Sequence, residues 1–266
     1  MPPTNKPKIR EKISKKLKPA SGFAPLFHVL YRVALPLVVF ILVRLDIGLW
    51  LPILVIMLSK WRIFAVRPRF WPANVRANAV DIIVGVSVVV FMANSESMSL
   101  QLFWTAVYGL WLLYIKPRSS ILFVSLQAGI GQLAGLMALF LVQSEAPLYQ
   151  LVLLSGLVCY LAARHFFDSF NEPYAKMLSY IWGYFGAALV WVLAHMLVVF
   201  PKPDGIVAMP TLMLSAVAYS LAAIYYLEHF ERLSSLVKRE MLFLGSAVVL
   251  ILVVSLAVEG SNLIVQ

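Results

Sequence analysis

Apolar side chains dominate nine stretches of this chain, at residues 23–43, 47–66, 79–93, 100–115, 119–142, 148–163, 177–200, 206–227 and 241–258, with short polar gaps between them. A helix needs about 20 such residues to cross about 30 Å of hydrocarbon. It also satisfies its own backbone hydrogen bonds, as lipid requires. The pattern predicts an all-α fold: a polytopic helical integral membrane protein with about nine transmembrane helices. Residues 1–22 read as a basic cytoplasmic tail or interfacial amphipathic helix, 23–258 as a single transmembrane helical domain, and 259–266 as a short external tail.

The polar positions set the orientation. Even-numbered gaps, together with the end of the second stretch, hold Lys60, Arg62, Arg67, Arg69 and Arg76, then Lys116 and Arg118, then Arg164 and Lys176, then Arg232, Lys238 and Arg239. Odd-numbered gaps hold only Arg44 and Lys202 beside the acids Asp46, Glu96, Glu145 and Asp204. Cytoplasmic loops carry the excess of Lys and Arg, so the N-terminus is expected in the cytoplasm and the C-terminus outside. The first hairpin is the least regular piece. Only Arg44, Leu45 and Asp46 separate its two apolar runs, and Pro36 and Pro52 interrupt them. Two full spans or one re-entrant hairpin both satisfy the charge bias. Two spans are preferred, because Arg44 and Asp46 are costly at mid-bilayer depth.

Composition removes the soluble alternatives. The chain is 62% hydrophobic and 13% charged, against about 45–50% and about 25% in soluble domains. The net charge of +10 sits at the ends of apolar runs, where it sets topology and meets anionic lipid at the cytoplasmic face. Nucleic acid is not an expected partner, since the cations lie at the ends of apolar runs, as topology signals do. Within residues 1–22, seven cations face one acid, and Ile9, Ile13 and Leu17 recur every fourth residue. That suits a helix lying on an anionic leaflet. Cys159 is the lone cysteine, which rules out an internal disulfide.

Residues 60–87 carry the most suggestive chemistry. Lys60, Arg62, Arg67, Arg69 and Arg76 are candidate contacts for an anionic headgroup, with Trp61, Phe64, Phe70 and Trp71 as interfacial anchors. Asn74, Asn78, Asp81 and Gly85 fall on one helical face at i, i+4, i+7 and i+11. With Gln127 and Gln132 they form a candidate polar groove. A carboxylate inside a membrane is a functional hypothesis by default; a structural ion pair is the competing explanation. The spacing Lys60-x6-Arg67-Pro68 resembles the first motif of the membrane-embedded acid phosphatases related to phosphatidic acid phosphatase. In that family cations hold the phosphate while a histidine attacks it. The family's other motifs, Pro-Ser-Gly-His and a Ser-Arg followed by His-x3-Asp, have no counterpart. Pro117-Arg118-Ser119-Ser120 and Arg164-His165-x2-Asp168 do not fit, so membership is not assigned.

A second cluster, Arg164, His165, Asp168 and Glu172 with His229, suits either a cytoplasmic rim of ion pairs or a convergent proton or metal site. No metal-ligand spacing supports the latter, and no metal or other cofactor is expected. Arg32 and His195 sit near span ends, where they can reach headgroups. Gly131-x3-Gly135 and Gly183 with Gly186 are close-packing faces. Nucleotide loops and hydrolase signatures are missing, so an enzyme is disfavoured. Three functional classes follow: a transporter, permease or lipid-handling protein; a non-catalytic subunit or scaffold with protein partners in an envelope complex; and an enzyme acting on lipid or lipid-linked phosphate. The short loops and basic tail point to a cell membrane, in the style of a bacterial inner membrane.

Overall fold

A computed structural model describes residues 24–142, 147–195 and 208–264. The segment 1–22 lies outside the described residues, as do Glu145, Lys202 and Asp204. Each of the nine apolar stretches carries one α-helix: α1 (Ala24–Arg44), α2 (Trp50–Ser59), α3 (Trp71–Ala93), α4 (Met98–Leu110), α5 (Ile121–Val142), α6 (Leu148–Asp168), α7 (Ala175–His195), α8 (Met209–His229) and α9 (Ser235–Ile264). Strands are absent among the described residues. Among the described residues, six helical segments are long and apolar enough to cross a membrane: Pro68–Ala93, Met98–Ile115, α5, α6, α7 and α8. Large apolar side chains such as Tyr184, Phe243, Tyr219 and Ile251 stand with about two-thirds or more of their surface exposed. Water would not tolerate so much apolar surface, and lipid does. The chain is a multi-pass helical membrane protein.

The second apolar stretch departs from the expected full-length span. Helix α2 has 10 residues, about 15 Å at 1.5 Å per residue, whereas α1 has 21. Beyond α2 the chain continues through 3-10 turns at Trp61–Ile63 and Pro68–Phe70. The reason is chemical. Lys60 forms the C-cap of α2 and turns its ammonium to Asp81, and Arg67 is extended (ψ 138°) because a residue before proline avoids the helical region. The first hairpin thus pairs one full-length helix with one half-length helix.

Helix α3 runs through the centre, packed against α1, α2, α4, α5 and α6. Val80, Val84, Val88 and Met92 on α3 meet Val39 of α1, Ile56 of α2 and Tyr108 of α4 in the first core. Glycines allow the tightest approaches. A Cβ on Gly131 would come within 2.7 Å of Val80, and one on Gly135 within 2.7 Å of Ile83, so both pin α5 to α3. Gly156 and Gly183 each meet the other's carbonyl at 3.0 Å from a built Cβ, which seals α6 against α7. With little hydrophobic drive between helices in lipid, such close contact is what holds a bundle together.

Candidate functional site

Asp81 lies on α3 and is 7% exposed. Its Oδ2 accepts from two ammonium groups, those of Lys60 and Lys116, and its Oδ1 accepts from Trp111 Nε1 at 2.9 Å. Three elements deliver these groups: the end of α2, the interior of α3, and a π-turn at Trp111–Ile115 that continues α4. The π-turn explains the convergence. In a regular α-helix, residues five apart point about 140° away from each other. Here Lys116 N–H bonds to Trp111 C=O at 2.9 Å, an i to i+5 closure that stacks the two residues on one side. Indole and ammonium then reach the same carboxylate.

The charge count is unbalanced, with two cations on one anion. Lys60 is 8% exposed, whereas the Lys116 side chain keeps 34% of its surface. A buried charge without a full counter-charge costs several kcal/mol, so this cluster is an unusual place for a surplus cation. One turn deeper, the Tyr108 hydroxyl is buried with no hydrogen-bond partner, and a Cβ on Gly85 would meet it at 3.0 Å. Gln101, Thr105, Tyr108 and Trp111 follow each other on one face of α4, toward α3. They make a polar line through an otherwise apolar core.

No known protein family, characterised protein or solved structure matches this chain.

The other sequence-predicted residues are distributed around the bundle. Asn78 donates to the Asn74 carbonyl of its own helix at 2.9 Å, and Asn74 reaches the Ile63 carbonyl at 3.4 Å. Gln127 donates to the Ile115 and Arg118 carbonyls at 2.8 and 3.0 Å and lies 3.2 Å from His165 Nε2. It ties down the end of the π-turn. Gln132 accepts from Trp182 Nε1 at 2.8 Å and donates to the Leu214 carbonyl at 3.3 Å, linking α5 to α7 and α8. Neither glutamine hydrogen-bonds to Asp81, so no single hydrogen-bond network joins the five groove candidates. Among the cations proposed for headgroups, Lys60 is taken by Asp81 and Arg76 lies 3.6 Å from Asp168. Arg62, Arg67 and Arg69 are exposed, with Arg69 over the Phe70 ring at 4.5 Å.

The second cluster is partly a rim of ion pairs. Arg164 binds Asp168 at 2.9 Å, on the side where Arg76 approaches from α3. Glu172 accepts from the Tyr225 hydroxyl. His229 packs on Phe170, ring centroids 4.9 Å apart. Among the described residues, no three His, Cys, Asp or Glu side chains gather as metal ligands do. Sequence reasoning missed Trp111 as a partner of Asp81 and treated Lys116 only as a topology signal. The π-turn that aligns them leaves no mark in hydropathy.

Proposed function

We propose that the chain is a permease or lipid-handling protein that engages an anionic group, a phosphate or a carboxylate, at Lys60 and Lys116. The observation that carries this reading is the buried cluster of two ammonium groups on the single Asp81 carboxylate. Asp81 acts as a resident counter-ion. An incoming anion takes its place on the lysines, entering past the part-exposed Lys116, and cancels the surplus charge. Departure of the anion returns both lysines to Asp81. The two groups compete for the same donors, so neither is held irreversibly, as transport requires. The Trp111 indole keeps the carboxylate oriented while its other oxygen is free.

The positive-inside rule puts this cluster at the cytoplasmic end, where Arg62, Arg67, Arg69 and Arg118 add attraction for anionic lipid. The protein would then be a multi-pass component of a cell membrane. The test is uptake or transbilayer movement in proteoliposomes, with phosphate, glycerol 3-phosphate and fluorescent phosphatidylglycerol as probes. Wild-type protein should move at least one of them, and Lys60→Met and Lys116→Met should each abolish that movement. Equal movement by the variants, or none by wild type, would overturn the proposal.

A further inference from the structure

At the end of helices α1 to α4 away from Asp81 lies a cavity of about 370 Å³, within the usual size range of small-molecule sites. The α1–α2 hairpin contributes Arg44 and Asp46 to its lining, and the α3–α4 turn and first turn of α4 contribute Glu96 and Gln101. Among the described residues, Arg44, Asp46 and Glu96 make no ion pair and no side-chain hydrogen bond. Three charged groups that share a cavity without pairing are available to a ligand.

Gln101 supplies the independent observation. It is 6% exposed, and its amide nitrogen donates to the Met92 and Ser95 carbonyls at 3.2 and 3.0 Å. Both partners are acceptors only, so the amide orientation is fixed, because the opposite flip would face Oε1 with two carbonyl oxygens. Oε1 is left buried without a donor. Buried acceptors are nearly always satisfied, so this one calls for an N–H or O–H from outside the chain.

From these groups we infer that the cavity binds a small zwitterion, a primary ammonium joined to a carboxylate or phosphate. The ammonium donates toward Gln101 and the two carboxylates, and the anion pairs with Arg44. Two carboxylates against one guanidinium favour the cationic end, and three N–H bonds suit the acceptors better than a quaternary amine does. The same chemistry occurs in a free amino acid and in the phosphoethanolamine headgroup of a lipid. This site is independent of the inner cluster, and its test reads binding without flux.

The experiment is calorimetric titration of the full chain in phosphatidylcholine nanodiscs with glycine and with phosphoethanolamine. Betaine and phosphocholine, which lack N–H donors, serve as controls. Binding of at least one primary-ammonium probe is expected, with its quaternary analogue at least ~tenfold weaker. Arg44→Gln, and separately Asp46→Asn with Glu96→Gln, should each weaken it by at least ~tenfold. These side chains are exposed, and asparagine tolerates the positive φ of 51° at Asp46, so the variants should fold. Repeating the titration in phosphatidylethanolamine nanodiscs separates the sources. Loss of probe binding there identifies the headgroup as occupant, and unchanged binding identifies a free solute. No binding of either probe, equal affinity for the quaternary analogues, or indifference to both sets of substitutions would overturn the inference.

Discussion

Asp81 holds two ammonium groups and an indole, so its loss strands more charge than the loss of either lysine. Removing one member of a buried charged set costs about 3–5 kcal/mol, because the partner is left uncompensated. Asp81→Asn is expected to destabilise the protein by about that amount. Adding Lys60→Met should recover much of it by removing one stranded cation; denaturation in mild detergent measures both. Trp111→Phe deletes a hydrogen bond to a charged acceptor, which is worth about 1.5–3 kcal/mol. Its stability loss should shrink in an Asp81→Asn background, where the acceptor is neutral, and a double-mutant cycle reads this directly. At this scale the sequence exposed Asp81 well, since a carboxylate inside an apolar run is conspicuous. It hid the partners. Lys116 and Trp111 lie 35 and 30 residues away, and Trp111 looks like any other apolar anchor.

Between residues and the whole bundle, two elements decide the geometry. The π-turn at Trp111–Ile115 brings Trp111 and the residue that follows the turn, Lys116, to Asp81. Inserting an alanine after Leu113 would set Trp111 and Lys116 six apart, about 120° from each other on a helix. It should turn one of those side chains away and lower thermal stability, whereas deleting Leu113 leaves them four apart on one face and should cost less. In combination with Trp111→Phe the effects should be less than additive, and additive losses would show that the turn does not serve the cluster. The glycine face of α5 makes a paired prediction. Gly135→Val forces a side chain to within 2.7 Å of Ile83 and should cost about 1–3 kcal/mol by overpacking. Gly129, with nothing within 4 Å of its built Cβ, should accept valine with a much smaller loss; similar losses at the two sites would contradict the packing. The Gly-x3-Gly spacing was legible because small residues at that interval have one strong use in lipid. The shortness of α2 was not, because hydropathy at residues 47–66 is blind to whether an apolar run is helical throughout.

At the scale of the molecule, the hydrogen bonds and ring contacts that join Lys60, Lys116, Gln127, His165, Phe170 and His229 gather the even-numbered gaps at one end. The cavity gathers Arg44, Asp46 and Glu96 at the other. This alternation is what apolar runs of near-equal length and segregated charge require, which is why the architecture was readable from sequence. What the bundle does was not, because a site lies in a few side chains brought together from distant helices. Orientation is open to a clean test, since the lone Cys159 is buried. Arg69→Cys should react with a membrane-impermeant maleimide only from the cytoplasmic side, and Glu96→Cys only from outside. The central claim is that Asp81 is a counter-ion which a solute anion replaces. The most direct measurement compares Asp81→Asn with wild type for both binding and flux of the anionic probe that wild type transports. The account predicts tighter binding, by roughly tenfold or more, with flux lost, because nothing competes the anion off the lysines. Loss of binding together with flux in a folded variant, or flux unchanged, would contradict it.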